Sequence, residues 1–242
     1  MAKTGPKLNT ETPPFETAQL REQLSAFLDQ AFNDPIAGAK RAVGNFKWGV
    51  YAFYDYDAEP IYIGQTNELL RTRIRRHLTN QRTDAVAMSV LDPFEVCDIE
   101  VWPLPQFQNT ASGNKEAKAF LNALEHKVYS EAIKQSKFGA VLNEKDPAEP
   151  DEKVKLPKSY RGTIISEEVM ALRAHPDLRT ARRALIISRL AQVISERKVQ
   201  GGLRRVLVVQ AQRLAWLAEQ RFNSLGGQQT VEVEGGDDDG EA

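Results

Sequence analysis

Residues 48–78 read WGVYAFYDYDAEPIYIGQTNELLRTRIRRHL, and the rest of the chain is organised around them. In the first half, large apolar and aromatic residues alternate at period two on either side of the acidic stretch Asp55 to Glu59, the pattern of two strands joined by a short turn. Centring the turn between Tyr56 and Asp57 pairs Tyr51 with Tyr62 and sends both phenols out of one face of the sheet. The second half is helical. Thr66 or Asn67 can accept from the free amides of a first turn, and Leu70, Ile74 and Leu78 recur as a buried stripe. Arg73 and His77 fall on one rim of the stripe, Arg71 and Arg75 on the other, and Arg76 points away. With the stripe laid on the sheet, a guanidinium and an imidazole stand beside two tyrosines. That set suits a phosphate ester, because it offers a cation for phosphoryl oxygens and groups that can move a proton.

At 242 residues the chain has room for one good core with an appendage, or for two small domains. Its 41 % hydrophobic and 27 % charged content is that of an ordinary globular protein. No apolar run is long enough to cross a bilayer and the first residues do not read as a secretion signal, so the expected setting is cytoplasmic with no membrane partner. A single cysteine, Cys97, excludes an internal disulfide and a thiolate-rich zinc site and reads as a small buried hydrophobe. The formal charge of −1 argues at first against a nucleic-acid partner, but its distribution is uneven. Residues 166–225 carry eleven Lys and Arg against five Asp and Glu, while residues 226–242 hold Glu232, Glu234, Asp237, Asp238, Asp239 and Glu241 with no base. The near-neutral sum hides a basic helical region followed by an acidic tail.

Along the chain, residues 1–45 read as a polar arm followed by a helix with Leu20, Leu24, Phe27, Leu28 and Phe32 on one face, stopped at Asn33 to Pro35. Phe94 to Leu104 alternates as a third strand, with Ile99 and Val101 on one face and Trp102 on the other. Lys115 to about Ser136 is a strong helix with Leu121, Leu124 and Val128 inward and Glu125 at the edge of the stripe. Residues 148–163 have the Lys, Asp, Glu and Pro composition of a linker, and residues 164–225 read as a helical module broken at Gly201-Gly202. The paired arginines Arg182-Arg183 and Arg204-Arg205 suit phosphate contacts or a solvated face; Val206 to Val209 with Leu214 and Leu217 suit a homo-oligomer seam. Residues 226–242 are too polar to bury a core and are expected to be a disordered tail.

Gly49-Val50-Tyr51, then Tyr62-Ile63-Gly64, then Arg73 and His77 on the next helix together resemble the signature of the GIY-YIG nucleases, in the variant with Arg-x-x-x-His found in homing and restriction enzymes. The resemblance covers residues 46–147. It implies an α+β fold, a small antiparallel three-stranded sheet flanked by helices, to which the C-terminal helical module is added. It also implies a divalent-metal-dependent endonuclease that hydrolyses phosphodiester bonds in DNA, of restriction or mobile-element type, with one Mg²⁺ or Mn²⁺ per active site. By resemblance Tyr51 orients or deprotonates the attacking water with Tyr62 in support, and His77 relays a proton or bonds the phosphate. A phenol ionises only near pH ~10, so a neighbouring cation must assist. Arg73 forks onto the scissile phosphate. Glu125 holds the metal, with Glu131 the competing carboxylate, and Asn143 matches the family's final polar residue, bracing the core or the metal site. Lys47, Arg71, Arg75 and Arg76 are candidates for flanking backbone phosphates. Gly49 and Gly64 either keep the tyrosine face open or are plain sheet glycines. A non-catalytic DNA-binding protein with the same fold, and an enzyme acting on RNA, remain the competing readings.

Overall fold

A computed structural model describes residues 14–79, 90–196, 198–199 and 201–227. The predicted arms at 1–13 and beyond 227 lie outside them, as does most of the connection after residue 79. The order of elements is α1 (Phe15–Asp29), β1 (Ala31–Asp34), β2 (Ala39–Ala42), β3 (Gly49–Tyr54), β4 (Pro60–Thr66), α2 (Leu70–Leu78), β5 (Asp98–Pro103), α3 (Lys115–Gln135), β6 (Tyr160–Thr163), α4 (Glu167–Arg173), α5 (Pro176–Glu196) and α6 (Gly201–Ser224). The main sheet is antiparallel with strand order β4-β3-β5-β6. Its fourth strand comes from residues whose composition reads as the end of a linker. β6 pairs Val101 with Tyr160 and Asp98 with Thr163, and so covers an edge that a three-stranded sheet would leave open.

Alternation along β3 and β5 divides two cores. On one face Tyr51, Phe53, Ile99 and Val101 pack with the α2 stripe Leu70, Ile74 and Leu78, with Leu24 and Phe27 of α1, and with Leu190, Leu203, Val206 and Val209 of the C-terminal helices. On the other, Val50, Ala52, Ile63 and Trp102 pack against Leu121, Leu124 and Val128 of α3. Val206 and Val209, expected to form a seam between copies, are therefore buried in the chain's own core.

Four local expectations are corrected. Tyr51 pairs with Gly64, and it is Phe53 that faces Tyr62. The turn is centred on Asp57, and a one-residue register shift follows between Phe53 and Tyr54; together they displace the pairing by two residues, which preserves the face because the side-chain period is two. Helix α2 starts at Leu70 without a side-chain cap; Thr66 Oγ1 instead accepts from Glu68 N at 3.0 Å, forming a turn ahead of the helix. The third strand begins only at Asp98, since Pro93–Glu95 form a 3-10 turn capped by Asp92. Phe32 belongs to a β1–β2 hairpin rather than to α1, and Asp34 Oδ1 holds the hairpin turn by accepting from Ile36 N and Ala37 N.

Cys97 is buried, and burial pushes its thiol up to about 11, as suits an inert packing residue. Among the described residues no helix is long and apolar enough to cross a membrane.

Candidate active site

Tyr51 sits mid-strand on β3 and is fully buried, its ring lying across the backbone of β4. Gly64 makes that possible: a Cβ there would collide with the Tyr51 hydroxyl. Gly49 is constrained by packing, since its Cβ would come within 2.9 Å of Trp102 O on β5. The α2 stripe clamps the helix to this face and delivers His77, also buried, so that its Nε2 lies 3.0 Å from Tyr51 Oη. Tyr62, partly exposed, completes an aromatic group, 6.3 Å from the Tyr51 ring and 5.3 Å from the His77 ring between centroids.

Arg73, one helical turn before His77, is half-buried. Burial opposes its charge, but hydrogen bonding to Tyr51 and the field of Tyr51, Tyr62 and Glu68 outweigh this and hold the guanidinium protonated. An N–H of Arg73 donates to the Tyr51 oxygen, and Tyr51 Oη shares a further hydrogen bond with His77 Nε2 whose direction is set by the imidazole tautomer. On the far side, α3 contributes Glu125. Burial pushes its carboxyl up to about 7, against the Arg73 charge and the Gln65 amide, which pull it down. The competing Glu131 is tied on the helix surface to Lys127 at 3.0 Å and Lys134 at 3.3 Å and has no link to the cluster.

Arg73 and Gln65 line an open groove of about 340 Å³, with Lys118 and Asn122 of α3 on the opposite wall. A larger hollow of about 490 Å³ beside α3 is lined by Glu116, Glu149, Asp151 and Glu152 and would repel a polyanion. Arg73 thus joins the smaller groove to the cluster behind it, where it meets the buried phenol–imidazole pair and the carboxylate of raised pKa. Among the described residues no three His, Cys, Asp or Glu side chains gather as a metal cage. One carboxylate nevertheless fits Mg²⁺, which keeps several waters and takes further oxygens from a bound phosphate.

The remaining candidates are placed as follows. Asn143 serves the backbone: its Oδ1 accepts from Ile63 N at 3.0 Å and its Nδ2 donates to Ile63 O at 2.7 Å, which covers the outer edge of β4. Arg71 donates to Asp29 and Asn45, and Arg75 to Ser25, so both fasten α2 to its neighbours. Arg76 pairs with Glu68 at the groove's edge, and Lys47 Nζ donates to Thr110 O. Of the C-terminal arginines, Arg182 pairs with Asp92, Arg183 with Asp55 and Glu95, and Arg205 with Asp146, while Arg204 is exposed. Gln65 and Lys118 were not singled out by sequence; the only hint was position, Gln65 immediately following Gly64.

Residues 47–108 match a family model described as the GIY-YIG catalytic domain. The match takes in both tyrosines, Arg73 and His77 and stops short of Glu125. No curated protein and no solved structure gives a significant match.

Proposed function

We propose that this chain, whose residues 47–108 match the GIY-YIG catalytic domain, is an endonuclease that hydrolyses phosphodiester bonds in DNA with the help of one divalent cation. The observation that carries the reading is convergence. Tyr51, Tyr62, the Arg73–His77 rim of α2 and Glu125 of α3 come from separate elements and meet around Arg73, which also lines an open groove opposite Lys118.

In this reading Arg73 binds the scissile phosphate and lowers the cost of charge collecting on its oxygens. Tyr51 passes its proton to His77 Nε2 and takes one from the attacking water, with Arg73 steadying the phenolate. Tyr62, the more exposed phenol, lies beside the Tyr51 ring and supports it. Glu125 would hold a Mg²⁺ or Mn²⁺ ion. The bound ion would polarise the phosphate and stabilise the departing oxygen. Lys118, Lys47 and Arg76 contact flanking phosphates. The Arg73-x-x-x-His77 helix favours a restriction-type or mobile-element role.

Incubation of supercoiled plasmid with the chain and Mg²⁺ tests the reading. Nicking or linearisation that is lost in Tyr51→Phe and Glu125→Ala is expected. Tight DNA binding with no strand cut would favour a non-catalytic DNA-binding protein, and preferential cleavage of labelled RNA mixed with DNA would reassign the substrate.

A further inference from the structure

Gln65 follows Gly64 on β4 and faces α3. Its Nε2 donates to Asn122 Oδ1 at 2.9 Å, and the same amide lies against Glu125, one helical turn beyond Asn122. The Glu125 carboxylate, which accepts from the amide, fixes which way the amide points. The other atom of that amide, Oε1, is buried and has no hydrogen-bond partner among the described residues. Across the same groove Arg73 Nε is also buried and without a partner.

Buried polar atoms are seldom left unmet, and an idle acceptor and an idle donor on two residues that line one groove mark a place for something else. A phosphodiester oxygen satisfies Arg73, because it accepts. It cannot satisfy Gln65 Oε1, because it has no hydrogen to give. That oxygen needs a donor that arrives with the substrate or with the cation.

We infer that Gln65 is a positioning residue: its Oε1 accepts from a water around the cation at Glu125 and so sets where that water stands relative to the phosphate held by Arg73. This rests on Glu125 as the cation's carboxylate. The effect is that of an outer partner which orients a metal site without ligating it.

Mn²⁺ titrated into the full chain without nucleic acid, with free ion read by electron paramagnetic resonance, reports cation binding independently of turnover. Glu125→Ala is expected to abolish binding. Gln65→Met keeps the side-chain length without a strong acceptor and should weaken binding about tenfold, whereas Gln65→Glu should bind at least as tightly as the parent. Asn122→Ala, which releases the amide from an exposed residue, should weaken binding by a smaller factor and serves if Gln65→Met fails to fold. In cleavage, Gln65→Met should raise the Mg²⁺ concentration for half-maximal rate, with thermal melting unchanged. Equal Mn²⁺ affinity in the parent, Gln65→Met and Asn122→Ala, with Glu125→Ala deficient, overturns the role of Gln65 and leaves Glu125 standing. Binding that survives Glu125→Ala overturns the reading of Glu125 and the inference with it.

Discussion

Tyr51 is useful because it is held from two sides, by the guanidinium of Arg73 and the imidazole of His77. Removing only its hydroxyl, in Tyr51→Phe, should leave the fold intact and lower cleavage by about 10²- to 10⁴-fold, the usual worth of a positioned proton-transfer group. Arg73→Lys should not restore Arg73→Ala, since an ammonium lacks the fork that reaches a phosphate and Tyr51 together. Glu125 makes a prediction in pH. Its carboxyl ionises at about 7 in the folded chain against 4.5 for an ordinary glutamate, so between these values the folded state holds a proton that the unfolded state has lost. Stability from this group is therefore greatest at low pH and declines as pH rises towards 7. Thermal melts of the parent should show that decline and Glu125→Gln should flatten it. Mg²⁺ prefers the ionised carboxylate, so its stabilising effect should be larger at pH 8 than at pH 6. Gly64→Ala should displace the Tyr51 ring, costing about 1–3 kcal/mol of stability in urea denaturation together with most of the cleavage.

Among the elements, the β3–β4 hairpin does two jobs. Its strands carry the phenols and its turn anchors the C-terminal helices. Asp55 Oδ1 accepts from Asp57 N and Glu59 N to form the turn. Its Oδ2 receives Arg183 Nη2 at 2.9 Å and Arg213 Nη2 at 2.6 Å, all within the buried interior. Asp57 pairs with Arg179, and Glu59 accepts from Lys137 N just past α3. Asp55→Ala would take the carboxylate from buried Arg213 and one of two carboxylates from buried Arg183. Loss of one side of a buried ion pair typically costs about 3–5 kcal/mol, and urea denaturation should read a loss of that order. Asp55→Asn retains the turn oxygen and should fall between the two.

For the whole molecule, the C-terminal helices are part of the core and not a separable module. Leu190, Leu203, Val206 and Val209 share a cluster with Tyr51, Phe53 and Ile74. Their approach is close enough that a Cβ on Gly202 would collide with Glu144 O. A chain ending at residue 163 should expose that face and lose its cooperative melt and near-ultraviolet circular dichroism, and its cleavage should disappear for that reason. Much of the local basic excess is used internally, with Arg173 on Glu16, Arg179 on Asp57, Arg183 and Arg213 on Asp55 and Arg221 on Asp177. Cations at the groove should then govern the salt dependence of DNA binding. Lys118→Ala is expected to lower the slope of log K against log salt by about one, whereas Arg204→Ala, exposed on α6, should leave it unchanged.

The order of residues by itself determined the hairpin, the α2 stripe, the α3 helix and the common side of Tyr51, Tyr62, Arg73 and His77. These follow from periods of two and 3.6 residues, which are local and survive even a register displaced by two. Only the tertiary structure decided that Glu125 and not Glu131 meets Arg73, that Asn143 closes the edge of β4, and that Tyr160–Thr163 extends the sheet. It alone also turned the arginines of residues 166–225 inward to the acidic turn. Each of those outcomes depends on which distant segments come together, and a charged side chain reads the same in sequence whether it will face water, a phosphate or a buried carboxylate.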